Sequence, residues 1–283
     1  MNTDNTISAP FVFKKDAKTG MIENEPESYY HSTGWLGYSP IKVYNQDPYA
    51  YKMRYIEQHP DWQLKNTKSL RMGSLVDEIM TYGNPRSFVI APAEHLTPSG
   101  VLSTKKATLA WEKSIAPRVA VGPQEWRDAN MMADRLKANK VAMKYINGTI
   151  RQCTCRIVNP GNGLPMQCRP DFLAKDFSFV NDLKTTSDQS LDYVGSTVKK
   201  WGYHIQAGYY REIIHAVTGV RPSHWYITFV QSVFPYATKI IELDEPTLAE
   251  GLRIAEAALD GISLKEWEPV RGEPELINVR GVL

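Results

Sequence analysis

An α/β fold, with helices flanking a mixed central sheet, follows from three features of this 283-residue sequence. Residues 151–187 read as three short strands joined by turn-forming segments. Residues 201–217 carry helical periodicity, and residues 226–232 and 237–243 then return to strand character. A helix that joins a meander to a returning strand produces a sheet of mixed direction. The length suffices for a large core, so residues 29–283 are read as one domain preceded by a loose arm, residues 1–28. Apolar residues at 42% and charged residues at 23% are ordinary for a globular protein. A net charge of +2 does not announce a nucleic-acid partner, so a basic groove has to come from local clustering of the 33 lysines and arginines. No apolar run reaches the length of a membrane span, and the first residues lack a basic-then-apolar leader. The three cysteines, Cys153, Cys155 and Cys168, read as reduced, buried thiols, which points to the cytoplasm.

Taken in order, the arm is polar apart from Phe11-Val12-Phe13, where one strand is expected. Ser39-Pro40 reads as an N-cap followed by a first-turn proline, and a helix start of this kind favours anions, so Ser39 is a candidate phosphate contact beside its plainer capping role. The helix breaks at Asp47-Pro48 and resumes over 49–58, with Tyr51, Met53 and Tyr55 available for packing. A second helix spans 67–82, where Leu70, Leu75, Ile79 and Met80 supply an apolar side and Gly73 permits close approach. Asp77 and Glu78 interrupt it, and a solvent-facing pair of acids is the plainest reading. Within 83–122, a strand is expected at 88–90, a loop at Pro98-Ser99-Gly100 and a helix over 105–113. Its lysines, Lys105, Lys106 and Lys113, fit a DNA path or simply a solvated face. Residues 123–146 form a long helix with Trp126, Ala129, Met132, Leu136 and Met143 on one side, and Leu248, Leu252, Ala255, Leu259 and Ile262 mark a closing amphipathic helix.

The chemistry concentrates in the meander. Residues 151–158 lead through an NPGNG turn into residues 167–174, and a polar break at Lys175-Asp176 leads into 177–184. Pro170 cannot donate to a central ladder and marks an irregular position beside Asp171. Asp182 and Lys184 lie two apart, on one face of their strand. Two carboxylates can hold a hard divalent cation while leaving positions for water and phosphate, and a neighbouring lysine can orient water and offset charge on a reacting phosphate. Alone, D-x-L-K reads first as an ordinary surface ion pair, because any D-x-K is common by chance. In the helix that follows, Trp201, Ile205, Tyr209 and Ile213 share one stripe, and Gln206 and Tyr210 stand one turn apart on the next.

With RPD, an eleven-residue step to DLK and the Q-x-x-x-Y helix in this order, the chain resembles the PD-(D/E)XK nuclease superfamily. The likeness is to the RecB-like branch that contains the RecE exonuclease (exonuclease VIII) and, more distantly, phage lambda exonuclease. NPGNG, NDLKTTSD, Tyr203-His204 and the GSLVD helix extend it over roughly residues 30–243. The resemblance implies a restriction-endonuclease-like core and a Mg²⁺-dependent deoxyribonuclease, with Mn²⁺ as a substitute. Asp171, Asp182 and the Leu183 carbonyl would hold the metal, and Lys184 would activate water. Gln206, Tyr210, Ser39 and Arg169 would hold phosphate. Asp77 matches a family histidine near the metal and becomes a further candidate ligand, while Gln152 stands in a strand where the family often has glutamate. Some RecB-like nucleases carry an iron–sulfur cluster on one upstream and three C-terminal cysteines, but no cysteine follows Cys168, so no cluster is expected. The resemblance further implies 5′-to-3′ digestion of linear duplex DNA to 3′ overhangs for recombination, a homo-oligomeric ring around the DNA and a single-strand-annealing recombinase as partner. Two alternatives stand beside it: another PD-(D/E)XK nuclease, either an endonuclease or 3′-directed, and a catalytically weak DNA-binding assembly subunit.

Overall fold

The strand-like segments at 151–158 and 167–174 are each broken once, and the two breaks face one another. In the computed structural model, which describes residues 14, 16–63, 67–187 and 194–267, the chain begins β1 (Gly20–Ile22), α1 (Glu27–Ser32), α2 (Tyr38–Gln46), α3 (Pro48–Tyr51) and α4 (Lys68–Tyr82). It continues through β2 (Phe88–Ile90), α5 (Lys106–Ile115), β3 (Val119–Val121), α6 (Pro123–Ala138) and α7 (Lys140–Lys144). The meander is β4 (Ile150–Arg151), β5 (Thr154–Val158), β6 (Pro165–Cys168), β7 (Phe172–Leu173) and β8 (Phe179–Thr186). Next come α8 (Val194–Trp201), α9 (Tyr203–Thr218), β9 (His224–Gln231), β10 (Thr238–Leu243) and α10 (Glu245–Ser263).

The expected continuous strands are therefore pairs. β5 and β6 join β1 in one antiparallel sheet, whereas β4 and β7 join β8 in a second, ordered β10-β9-β8-β7-β4. That second sheet is mixed, because β8 and β9 run parallel and its other pairs antiparallel. Gln152 and Asp171 sit opposite each other at the crossing between the sheets, where the Gln152 N–H donates to the Asp171 carbonyl at 3.1 Å. Gln152 has φ of 50°, and Pro170 has no N–H to give a ladder, so neither strand can continue flat through this point. The bend aims Asp171 away from regular pairing.

Side-chain alternation sends the two faces of the mixed sheet into different cores. Val180, Trp225, Ile227 and Phe229 pack with α2, α9 and α10, while Phe172, Leu183 and Val230 pack with α4 and α6. Asp182 and Lys184 share parity with Val180, so both belong to the α2–α9 side.

Two expected helices are broken in ways that sequence periodicity does not reveal. The 123–146 helix stops at Asn139, whose Oδ1 accepts from the N–H groups of Val141 and Ala142 and so caps α7. The 201–217 helix is interrupted at Gly202, which adopts φ of 72° where the Tyr38 hydroxyl approaches its backbone, and a side chain there would collide with that hydroxyl. Trp201 consequently ends α8 instead of sharing a stripe with Ile205 and Tyr209. β3 is an additional strand, paired in parallel with β2.

Of the expected arm, residues 1–13 and 15, with Phe11-Val12-Phe13, lie outside the described residues. In its described part β1 pairs with β5, and the Glu25 carboxylate takes both Arg156 Nη atoms at 2.6 and 2.7 Å and the Thr154 hydroxyl at 2.9 Å. Arg156 is fully buried, and removing one partner from such a pair costs about 3–5 kcal/mol. Residues 20–25 are thus fastened to the sheet beside the strand break.

Candidate active site

Asp171 is the centre of a chain of carboxylates supplied by three elements. Its Oδ2 accepts the Leu183 N–H at 2.8 Å, which ties the bend to β8, and its Oδ1 accepts Gln152 Nε2 at 3.1 Å. The same Gln152 nitrogen donates to Asp77 Oδ2 at 2.8 Å, bringing in α4. On the other side, Asp182 Oδ1 accepts Gln206 Nε2 at 3.1 Å from α9, and Asp182 Oδ2 lies 2.5 Å from Lys184 Nζ. That last contact is a close ion pair that compensates Asp182 Oδ2, whereas the buried Asp77 Oδ1 has no hydrogen-bond partner.

Burial, reinforced by the charge of Asp182, lifts the Asp171 carboxyl to about 6. Burial and then the charge of Asp171 push Asp77 well above the usual carboxylate range. Lys184 is pulled down by burial, but the charges of Asp182 and Asp171 together outweigh that, so its pKa stands above the ordinary lysine value. The ammonium is therefore charged at neutral pH. In the metal-free site Lys184 thus stands as a cation beside Asp182.

A pH dependence follows, with its sign set by Asp171. Because the folded carboxyl holds its proton up to about 6 while the unfolded one releases it near 3.8, stability from this group is greatest in acid and declines as pH rises through that window. Urea unfolding in chelator is expected to show this decline between pH 4 and 6, and added Mg²⁺ should reverse it above pH 6.

The buried Asp77 Oδ1, which has no hydrogen-bond partner, is costly unless something compensates it, and a hard divalent cation held among these carboxylates is a group that fits. Carboxylate donors suit a hard ion that keeps several waters and takes phosphate oxygens, as Mg²⁺ does. Asp182, Asp171 and Asp77 are the side chains that would hold it. Leu183 is observed to contribute its N–H, through Asp171.

The structure redistributes the remaining expected roles. Asp77 turns inward, and Glu78 is not solvent-facing either: it is buried, and its Oε2 accepts the N–H groups of Arg86 and Ser87 at 2.6 and 3.0 Å, closing the loop after α4. Arg169 is committed to Gln152 Oε1 and the Glu25 carbonyl, both at 3.0 Å, so it positions the bridging amide where a phosphate contact was expected. Gln206 stands at the site through Asp182. Tyr210 has the right helical spacing but is buried against Trp225 and Tyr209, with burial holding its hydroxyl far above the usual tyrosine range. Its expected phosphate contact gives way to packing behind the carboxylates. Ser39 is exposed and is the second residue of α2, whose cap is Gly37. A proline is tolerated throughout a helix's first turn, so Pro40 did not fix the start. Lys105, Lys106 and Lys113 are exposed on and beside α5. All three cysteines are free and buried.

Sequence reasoning undervalued Gln152. The signal was available: the NPGNG hairpin pairs Cys155 with Cys168 and Arg156 with Gln167, and extending that register places Gln152 opposite Asp171. Arg169 settles the orientation of the amide, because its Nε can bond only an acceptor, leaving Nε2 to face both carboxylates.

Asp77→Asn tests the inward acid. Removing one of the crowded charges is expected to raise the metal-free Tm at pH 8 by about 2–4 °C, equivalent to about 1 kcal/mol, while raising the Mg²⁺ concentration needed for half-maximal stabilisation. An unchanged Mg²⁺ titration would remove Asp77 from the ligand set.

No helix among the described residues is long and apolar enough to cross a membrane, and no curated protein matches the chain. Among solved structures, a putative exonuclease from Eubacterium rectale is similar at 18% identity with a TM-score of 0.62, covering 92% of this chain and 98% of that one. A phage-related exonuclease from Haemophilus somnus matches at 15% identity with a TM-score of 0.28, over 72% of this chain and 96% of that one. The first of these supports the fold. The model of one family, described as a PDDEXK-like domain of unknown function (DUF3799), matches residues 50–274. A mixed sheet that presents Asp171, Asp182 and Lys184 beside a Gln-bearing helix is thus the core of a PD-(D/E)XK-type nuclease fold, and the chain belongs to the PDDEXK-like DUF3799 family.

Proposed function

We propose that this chain is a Mg²⁺-dependent deoxyribonuclease that digests linear duplex DNA from its ends. The observation that carries this reading is the convergence of Asp171, Asp182 and Lys184, joined through the Leu183 N–H and the Lys184–Asp182 ion pair, beside the buried Asp77 Oδ1 that no hydrogen bond satisfies. A bound Mg²⁺ or Mn²⁺ would act as a Lewis acid on the scissile phosphate and lower the pKa of a coordinated water. Asp171 and Asp182 hold the ion's position, and Gln206 fixes the rotamer of Asp182. Lys184, a cation on the same strand face, offsets the charge that grows on the phosphate oxygens.

Resemblance to RecE-like proteins motivates the finer terms: 5′-to-3′ direction, 3′ overhangs for recombination, a homo-oligomeric ring and cooperation with a single-strand-annealing recombinase. A cytoplasmic location belongs to the same reading. Incubating 5′-labelled linear duplex and covalently closed circular DNA with Mg²⁺ or with chelator tests it. Mononucleotide release from linear DNA alone, abolished by chelator, is expected. Nicking of the circle would favour an endonuclease, release from the 3′ end a 3′-directed enzyme, and binding without cleavage an assembly subunit.

A further inference from the structure

The α8–α9 junction carries an exposed indole with lysines around it, directly alongside the site. Trp201 is 46% exposed at the end of α8, although an aromatic side chain of this size is normally mostly buried. Lys42 Nζ from α2 lies over its ring at 5.1 Å, and Lys200 Nζ lies over it at 5.4 Å. The junction is built to stay in place: the Tyr38 hydroxyl, one turn before Lys42 on α2, is within hydrogen-bond distance of the Trp201 carbonyl at 3.1 Å and the Gly202 carbonyl at 2.7 Å. Two residues beyond Trp201, the Tyr203 ring lies 5.1 Å from Lys184 Nζ. Trp201, Lys42 and Lys184 thus form one continuous strip.

The charges along this strip are one-sided. Neither Lys42 nor Lys200 has a carboxylate within ion-pair distance among the described residues, whereas Lys184 is balanced by Asp182. Lys42 is half-buried, and burial, together with the charge of Lys184, lowers its pKa. A half-buried cation held near another cation, without an acid of its own, is a place that an anion improves. An exposed aromatic face beside it adds affinity for a flat, uncharged group. Phosphate and base together supply both, and such lysine–aromatic strips are how proteins hold single nucleic-acid strands without reading sequence.

Resting on the nuclease reading above, we propose that Trp201, Lys42 and Lys200 form a nucleotide platform that holds the substrate strand next to the cleavage site. The indole takes the face of an unpaired base, and the lysines take the phosphates on either side. The platform favours a frayed or single-stranded segment over a fully paired one, because only an unpaired base offers its face.

The test is fluorescence anisotropy of the full chain with a labelled single-stranded 12-mer and the corresponding duplex, in chelator and at several salt concentrations. Trp201→Ala is expected to weaken 12-mer binding about tenfold or more, the loss of one base–aromatic stack, with a smaller effect on duplex. Trp201→Phe should restore most of it, and Lys42→Gln should reduce the salt slope by about one phosphate contact. Melting temperatures check that folding is intact. Native-strength 12-mer binding by both Trp201→Ala and Lys42→Gln overturns the platform, as does equal weakening of duplex and single strand by Trp201→Ala. If the native protein binds the 12-mer in this pattern but cleaves no DNA in Mg²⁺, the platform stands and the hydrolase reading falls. If it cleaves while the Trp201→Ala protein binds normally, only the platform falls. A native protein that binds neither DNA overturns both, and the strip would then belong to a protein contact.

Discussion

Lys184→Ala is expected to slow phosphodiester hydrolysis roughly 10²-fold or more at saturating Mg²⁺, the scale of one preorganised electrostatic group. The ammonium is 2.5 Å from Asp182 Oδ2 and shares a strand face with it. The charges of Asp182 and Asp171 prevail over burial and keep its pKa above the ordinary lysine value, so in the metal-free site it places a positive charge beside the carboxylates. The variant carries a second signature. Removing the cation leaves the buried Asp182 beside Asp171 with its Oδ2 uncompensated, so the metal-free variant should lose stability, and Mg²⁺ should recover more Tm in the variant than in the native protein. Single-turnover rates at saturating Mg²⁺, DNA anisotropy in chelator and melting curves with and without Mg²⁺ measure the three terms separately. A rate within threefold of native, with DNA binding and Tm unchanged, would show that Lys184 is an ordinary surface partner of Asp182.

Much of this site was legible because its geometry is local. Asp182 and Lys184 share a face through the period of a strand, and Gln206 projects from the helix that the periodicity marked. Pro170 announced an irregular place beside Asp171. What the sequence concealed depends on contacts distant along the chain. Glu25 reads as one acid in a polar arm, and only the fold reveals that Arg156 receives it in a buried pair. Tyr210 has the spacing of a site residue, but its burial is decided by Tyr30, Tyr209 and Trp225. Helical periodicity runs straight through Gly202, and the break appears only because Tyr38 needs the space. Asp77 reads in the sequence as a single candidate ligand on its helix. Only the fold reveals that the neutral Gln152 stands between Asp77 and Asp171 and donates to both.

That bridging amide makes Gln152→Glu the most informative single change, since it alters one group without altering shape. The amide now gives two hydrogen bonds, at 2.8 and 3.1 Å, to carboxylates that already repel one another. A carboxylate there turns both bonds into close like-charge contacts in a half-buried place, and Arg169, 3.0 Å from the other side-chain oxygen, can offset only part of the added charge. Leaving a buried charge uncompensated costs about 3–5 kcal/mol, and each kcal/mol shifts Tm by about 2–4 °C in a chain of this size. The metal-free variant is therefore expected to melt about 10 °C below the native protein at pH 8. Three acids around one point are also a better cation site than two acids and an amide donor, so Mg²⁺ should raise the Tm of the variant by more than it raises the native Tm. Acid should narrow the deficit, because burial and Asp182 hold the Asp171 carboxyl near 6, and protonating it below that pH removes one of the three charges. Gln152→Ala separates charge from lost hydrogen bonds: it removes the same donor without adding a negative group, so it should be less destabilised and show little additional response to Mg²⁺. Equal metal-free Tm values for native and Gln152→Glu at pH 8 would mean that the amide does not hold Asp77 and Asp171 together, and that Asp77 is separate from the site.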